Sequence, residues 1–389
     1  MVVFQPTTFN ERTHSLDIIR GFSLLGILLV NIIAFNEPLP HVLDLHNWFK
    51  EAEDIIWYQT LDIYVQSSFY PLFSMLFGYG IAMQYIKAEK TGALFYSFAS
   101  RRFIILFVLG MIHAFLIWWG DILAMYAFCG FFLLLFIRFS PKMILTFGLV
   151  IYGLMHALFI GVLSMADMAQ NAVEASAVDI VSINNAITAY GFGNWTDAFK
   201  QRLVDLSIQM SPEMWLSSLF TILPYMLVGA SLAKWRLIER AKDFKALWIS
   251  MAVIGIGLGL FIKSTPFMYE RTMLLDYLKV YIGGPILSIG YMALIVCICM
   301  IPFIEKILHP IGLAGRMSLT IYIMQSIICS IIFYAFGFGL YGRISIEMSL
   351  LIALVIFIVQ ILFALVWFIK FKQGPLEAAV KKITYKKSI

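Results

Sequence analysis

The chain has 389 residues, of which 61% are hydrophobic and 13% charged, whereas a soluble globular chain carries about 25% charged residues. This composition excludes a soluble fold, because too few polar side chains are present to cover a water-facing surface. We therefore predict that the chain is embedded in a lipid bilayer. The net charge of +5 is spread over short basic segments rather than one continuous face, which excludes nucleic acid as a partner.

Ten segments are long and apolar enough to cross a membrane, since a transmembrane helix needs about 20 mostly apolar residues. In chain order they cover residues 16–35, 63–86, 103–120, 121–138, 143–166, 214–234, 246–263, 280–301, 318–340 and 349–370. We therefore predict an all-α fold, a polytopic membrane helical bundle of about ten transmembrane helices. Residues 1–389 form a single integral membrane domain in this interpretation.

The basic residues are distributed unevenly between the two sides of the predicted bundle. If both termini are cytoplasmic, 21 of the 28 Lys and Arg residues fall on the cytoplasmic side and 7 on the other. Because loops rich in Lys and Arg stay inside, we predict a multi-pass protein of the cell (plasma) membrane with both termini in the cytoplasm. The sequence leaves open whether the chain forms a homo-oligomer.

Two predicted external segments are long. Residues 36–62 form an external loop, and residues 167–213 contain the amphipathic stretch WTDAFKQRLVDLSIQM. This stretch predicts a short helix on the bundle or on the membrane surface, with Trp195, Phe199, Leu203 and Leu206 at helical spacing. The helix is either a cap that closes the bundle or a lid over a substrate site.

Charged and polar residues inside spans are costly and mark candidate functional sites. Asp17 and Arg20 lie three residues apart at the cytoplasmic end of the first span, as an intrahelical ion pair or as a group that binds an anion. His113 and Asp121 flank the tight hairpin between the third and fourth spans. A hydrogen bond between them would either hold two helices together or orient a catalytic imidazole.

The cysteines give no sign of a metal site. Cys129, Cys297, Cys299 and Cys329 all fall inside apolar runs, where cysteine behaves as a small buried hydrophobic residue. We expect neither disulfide bonds nor bound metal.

Four stretches and a C-terminal segment together point to one family. The stretches are SLDIIRGFSLLGILLVNI (15–32), FYPLFSMLFGYGIA (69–82), RRFIILFVLGMIHAFLIWWGDILAMYAFCG (101–130) and GRMSLTIYIMQSIICSIIFYAFGFGLYGRI (315–344), and the segment is GPLEAAVKKITY (374–385). They resemble the YeiB-like membrane proteins, the domain-of-unknown-function family 418. The resemblance covers nearly the whole chain.

The first of these stretches is also distantly similar to the first-span signature of the membrane acyltransferase superfamily. The acyltransferase-3 proteins of that superfamily place a histidine eleven residues after the Arg, where this chain has Asn31. The heparan-α-glucosaminide N-acetyltransferase type also has Asn there and places its catalytic histidine in the following loop. That resemblance implies His41 or His46 as the base, although both also fit exposed loop residues, and acyl-CoA (acetyl-CoA) as the donor.

The polar candidate residues run from the cytoplasmic side of the predicted bundle to its outer side. Two functional hypotheses follow from this arrangement. In the first, an acyltransferase moves an acyl group from cytoplasmic acyl-CoA to an extracytoplasmic glycan or lipid-linked acceptor, with the donor near Asp17, Arg20 and Asn31 and a base among the outer residues. The outer candidates are His41, His46, His113 and Asp121. In the second, the chain is a transporter or permease of a small solute, and a scaffold role is a third alternative.

Overall fold

The computed structural model describes residues 14–42, 48–168 and 179–385. Within these ranges the regular structure is helical and contains no strand, so the predicted all-α class is confirmed. The helices are α1 His14–Asn36, α2 Ala52–Tyr64, α3 Phe69–Thr91, α4 Phe95–Leu116, α5 Leu123–Phe136, α6 Pro141–Met168, α7 Ile180–Gly191, α8 Trp195–Gln209, α9 Pro212–Thr221, α10 Leu223–Trp235, α11 Lys245–Met268, α12 Met273–Leu278, α13 Gly284–Cys299, α14 Pro302–Arg316, α15 Ser318–Phe333, α16 Ile346–Lys370 and α17 Pro375–Thr384.

The apolar helices identify the chain as a membrane helical bundle. In the described ranges, seven continuous or nearly continuous helical segments are long and apolar enough to cross a bilayer, and an eighth is gained if α14 and α15 count as one bent span. Two of the ten predicted spans fall outside this set: α3 is 23 residues long but less apolar, and α5 has only 14 residues. The number ten therefore stays a prediction.

Three predicted spans are interrupted helices in the structure. The segment predicted at 318–340 ends as a helix at Phe333 and is preceded by α14, which meets α15 at an angle of 76°. The segment predicted at 214–234 consists of α9 and α10. The segment predicted at 280–301 begins earlier, at Met273, and contains a π-helical turn at Lys279–Gly283 between α12 and α13.

Glycines bring two pairs of helices into close contact. Gly78 of α3 lies against the backbone of Met226 in α10, and Gly229 of α10 lies against the backbone of Met75 in α3. Gly255 and Gly290 pair α11 with α13 in the same way. Small residues allow this approach because no Cβ separates the backbones, which is how helices pack in lipid without a hydrophobic driving force.

Contacts between distant residues define two sides of the bundle. The near side is the side on which α1 begins, where the ring of Phe98 in α4 packs on Tyr385 beyond α17. The far side is the side on which α1 ends, where the ring of Phe35 stacks on Trp118 at 4.3 Å and the side chain of Asn36 donates a hydrogen bond to the carbonyl of Ile344. Near side and far side carry these meanings below.

The far side carries most of the short helices that do not span the bundle. The segment 36–62, predicted as a loop, contains the greater part of α2. The predicted amphipathic helix is present as α8, with Asn194 as its capping residue. Of its predicted apolar positions only Leu206 is fully buried, while Trp195 and Leu203 are exposed. The face that packs on the bundle holds polar residues instead.

Candidate functional site

A cavity of about 260 Å³ extends from the near side into the bundle. Its near end is lined by four basic residues together with polar and acidic ones, and its inner part by aromatic and aliphatic side chains. The basic residues are Arg102, Arg316, Lys372 and Lys381, and the inner residues are Leu24, Ile27, Phe73, Phe77, Leu106, Ile122, Leu123, Tyr126 and Tyr322. The cavity therefore combines a charged entrance with an apolar interior.

The entrance has more basic than acidic side chains in its lining. Arg102 makes no ion pair with any residue that the structure describes. Glu377 is the acidic residue of the lining, but its carboxylate accepts hydrogen bonds from the backbone amides of Leu319 and Thr320 at 2.8 and 3.1 Å and from the Thr320 hydroxyl at 2.6 Å. Burial raises the pKa of Glu377. This carboxylate fixes α17 to the first turn of α15, so the entrance remains basic.

His113 and Asp121 form a buried pair on the far half of the bundle. His113 lies in the last turn of α4 and Asp121 in the short connection to α5. The Nδ1 atom of His113 and the Oδ1 atom of Asp121 are 2.9 Å apart, and both side chains are at most 1% exposed. Asp121 also accepts a hydrogen bond from the amide of Ala124 through Oδ2 at 2.8 Å. The contact that the sequence predicted is present, and it fixes the orientation of the imidazole ring.

The second ring nitrogen of His113 is unused. Nε2 is buried and has no hydrogen-bond partner among the described residues. An imidazole held through Nδ1 by a carboxylate, with Nε2 left to accept a proton, is the arrangement that general-base catalysis requires. The pair is therefore chemically suited to proton transfer.

Tyr322 separates His113 from the cavity. Its ring lines the inner end of the cavity, and its centroid is 5.2 Å from that of the His113 ring. The Tyr322 hydroxyl bridges the α4–α5 connection, since it accepts from the amide of Ile122 and donates to the carbonyl of Gly120, both at 3.4 Å. Neither His113 nor Asp121 lines the cavity, which ends one side chain short of them.

The first-span candidates Asp17, Arg20 and Asn31 do not line this cavity. Arg20 donates a hydrogen bond to Asp17 at 2.8 Å, so the structure contains the intrahelical ion pair. Arg102, one helix away, occupies the cavity entrance instead. Asn31 is half-buried and its side chain makes no hydrogen bond with a described residue.

The loop histidines have different outcomes. His46 lies outside the described residues. His41 is buried, and its Nε2 atom is 2.8 Å from Oδ1 of Asp205 in α8. Gln201 also donates to this oxygen at 2.8 Å, while the Tyr190 hydroxyl donates to the other carboxylate oxygen at 2.6 Å. Burial, with Tyr334 and Asp205 nearby, raises the pKa of Tyr190 well above its usual value. His41 is thus not an exposed loop residue.

Sequence reasoning missed several buried ionic groups. Lys263 and Lys279, which the predicted topology placed on the external side of the membrane, are 0% and 5% exposed. Lys279 pairs with Asp62 at 2.6 Å, and Lys263 donates to the carbonyl of Gln66. Arg202 of α8 is completely buried. The signal available in the sequence was the position of these charges inside or beside apolar helices, where burial requires a partner.

Metal ligation finds no support in the described ranges. They contain no group of three or more His, Cys, Asp or Glu side chains that could hold a metal ion. The four cysteines are free thiols, three of them buried.

These features define an integral membrane protein with an internal cavity that is basic at one end. A family model described as "Protein of unknown function (DUF418)" matches residues 232–387. The chain is 34% identical to "Uncharacterized protein YxaH" of Bacillus subtilis (strain 168) over 402 residues, which cover 99% of this chain and 97% of that protein. It is 27% identical to "Uncharacterized protein YeiB" of Escherichia coli (strain K12), with 96% of each chain covered.

The chain therefore belongs to the DUF418 family, as the sequence motifs indicated. A third relative, "Uncharacterized 39.9 kDa protein in amylase 3'region" of Bacillus acidopullulyticus, is 27% identical over 98% of this chain and 96% of its own. No solved structure matches the chain.

Proposed function

We propose that this protein is a membrane acyltransferase that takes an acyl group from cytoplasmic acyl-CoA and transfers it to an acceptor on the far side of the membrane. The observation that carries the proposal is the cavity, which runs from Arg102 and Lys372 at its entrance to Tyr322 beside the His113–Asp121 pair. A coenzyme A thioester has matching chemistry, because it carries phosphates at one end of a long, slender arm and the reactive carbonyl at the other.

The charge distribution supports this sidedness. The basic entrance lies on the near side, which the Lys and Arg bias assigns to the cytoplasm of the cell. Arginine forks and lysine ammonium groups bind phosphate strongly. The apolar aromatic interior accommodates an acyl chain and excludes water, which protects a thioester from hydrolysis.

The proposed reaction is a base-assisted attack on the thioester. His113 Nε2 takes the proton of an acceptor hydroxyl or amine, the acceptor oxygen or nitrogen bonds to the acyl carbon, and the C–S bond breaks. The imidazolium then returns its proton to the departing thiolate. Asp121 stabilises the imidazolium through Nδ1. The acceptor is a glycan or a lipid-linked group that approaches from the far side, and movement of the Tyr322 ring joins the cavity to the base.

The test compares two buried histidines. Purified full-length protein is titrated with acetyl-CoA by calorimetry, and acyl transfer to a panel of glycans and lipids is followed by mass spectrometry. His113→Gln is expected to retain acetyl-CoA binding and to lose transfer by about 10²-fold or more. His156→Gln is the matched control, because His156 is also buried with an unused Nε2 but contacts Tyr277 of α12 rather than the cavity. Absence of saturable acyl-CoA binding would contradict the proposal.

A transporter of a small solute is the second candidate, and the interrupted helices favour it. The 76° break between α14 and α15 and the π-helical turn at Lys279–Gly283 resemble the discontinuous helices at transporter binding sites. Solute uptake into proteoliposomes in the absence of acyl-CoA, unchanged in His113→Gln, would decide for this function.

A further inference from the structure

Arg202 of α8 is a buried cation without a counter-ion among the residues that the structure describes. Its side chain is completely buried, and Nη1 donates one hydrogen bond to the carbonyl of Phe115 at 3.1 Å. Nε and Nη2 are buried and unpartnered within the described part of the chain. The guanidinium forms no ion pair with any described carboxylate.

Asp205, an acidic residue on the same helix, is already occupied by other partners. It lies three residues further along α8, and its two oxygens interact with His41, Gln201 and Tyr190. Those three partners compensate the carboxylate without Arg202. A buried charge that is left unpaired is strongly unfavourable. Within the described part of the chain no carboxylate compensates this guanidinium, so its environment favours binding of an anion.

Two other unused hydrogen-bonding groups lie in the same region. Nε1 of Trp118 and the hydroxyl of Tyr334 are buried and have no partner among the described residues. The ring of Phe35 contacts both side chains, with centroid distances of 4.3 Å to Trp118 and 6.2 Å to Tyr334. Trp118 follows Phe115, which binds Arg202, by three residues. Two guanidinium nitrogens, one indole N–H and one phenol O–H in this region are thus buried and unpartnered among the described residues.

We propose that Arg202, Trp118 and Tyr334 form a binding site for an oxyanion, a carboxylate or phosphate group, on the far side of the bundle. A guanidinium presents two parallel N–H donors that match the oxygens of such a group, and the indole and phenol add a donor each. This proposal rests on these contacts and does not depend on the acyltransferase function.

If the acyltransferase proposal also holds, the oxyanion belongs to the acceptor. The ring of Trp118 is 6.5 Å from that of His113, so a molecule held by its anionic group at Trp118 has its hydroxyl or amine within reach of the proposed base. This step, unlike the site itself, rests on the proposed function, and it names the acceptor class as anionic.

The experiment measures thermal stabilisation of the full-length protein in a neutral detergent. The soluble probes are inorganic phosphate and acetate, and the lipid probes are phosphatidic acid and, as a neutral reference, phosphatidylcholine. Wild type is expected to show saturable stabilisation by at least one anionic probe and none by phosphatidylcholine. Stabilisation by phosphatidic acid alone assigns the site to a lipid headgroup, and stabilisation by phosphate or acetate assigns it to a solute.

Three variants and one control locate the effect. Arg202→Gln is expected to weaken the affinity by about tenfold or more, the loss typical of a charge-assisted hydrogen bond. Trp118→Phe and Tyr334→Phe keep their rings but lose a polar group, so they are expected to weaken binding less, and they carry the test if Arg202→Gln fails to fold. Arg343→Gln removes an exposed far-side arginine that donates to the Gly191 carbonyl and is expected to have no effect.

Two results would overturn the oxyanion site. One is a wild type that no anionic probe stabilises, and the other is stabilisation that persists at equal strength in all three site variants. Acetyl-CoA binding is measured on the same preparations. Its retention when oxyanion binding is absent shows that the site, rather than the acyltransferase proposal, has failed.

Discussion

Asp121 has two roles that a single substitution separates. One carboxylate oxygen holds Nδ1 of His113, and the other accepts the amide of Ala124 at the start of α5. Asp121→Asn keeps one acceptor oxygen but places an amide group against either the imidazole or the helix. We expect a loss of acyl transfer of about 10²–10⁴-fold and a cost in stability of about 1 kcal/mol from the weakened cap, measured by transfer rate and thermal unfolding.

The control for this substitution is Asp197, which accepts the amide of Asn194 in the exposed capping box of α8. Asp197→Asn is expected to lower stability slightly and to leave the transfer rate unchanged. Equal loss of activity in both variants would assign Asp121 a purely structural role.

Glu37 makes stability depend on pH. It lies just beyond α1, and burial, with a contribution from the charge of Asp54, raises its pKa from 4.5 to about 7 against the opposing hydrogen bond from Trp48. The folded state therefore favours the protonated carboxyl. Protonation of Glu37 stabilises the folded state fully below pH 4.5. This contribution is lost as the pH rises to about 7, by on the order of 3 kcal/mol. Glu37→Gln is expected to make the unfolding temperature depend less on pH between these two values. A slope identical to that of wild type would contradict the assignment.

At the level of helices, the sequence predicted where the helices lie in the chain better than it predicted which side of a helix packs on the bundle. Apolar length located the spans because lipid imposes it on every transmembrane helix. The bundle-facing side of α8 was not predictable from its apolar residues, since that face buries Gln201, Arg202 and Asp205. His41, which contacts Asp205, and Phe115, whose carbonyl accepts from Arg202, come from distant parts of the chain. Only the tertiary structure brings them to α8.

The contact between α3 and α10 gives a prediction about helix packing. A Cβ at position 229 would collide with the backbone carbonyl of Met75, so Gly229→Ala must push the two helices apart. We expect a loss of about 1–3 kcal/mol of stability, measured by thermal unfolding in detergent. Gly257→Ala in α11 is the matched control, because an added Cβ there meets no atom within 4 Å. Equal stability of the two variants would show that α3 and α10 can move apart without a loss of stability, and would contradict the prediction.

At the level of the whole molecule, the cavity is the feature that sequence reasoning could not supply. The residues that line it extend from Leu24 to Tyr385 and come from both halves of the chain. The sequence identified Arg20 as the inner cation because it lies in a family motif, whereas Arg102 from α4 occupies the entrance. The contact between His113 and Asp121 was predictable because a short hairpin joins them, and residues so close in sequence remain close in the folded chain.

The sidedness of the molecule decides whether a cytoplasmic donor can reach the cavity, and two exposed positions test it. Asn185 lies on α7 at the far side, and Lys242 lies in the connection between α10 and α11. A membrane-impermeant maleimide is expected to label Asn185→Cys in intact cells and Lys242→Cys only after permeabilisation. Wild type gives the background of the four native thiols, which is low because Cys129, Cys299 and Cys329 are buried. Labelling of Lys242→Cys alone in intact cells would place the basic entrance outside the cell, where acyl-CoA is absent, and would exclude the acyltransferase as proposed.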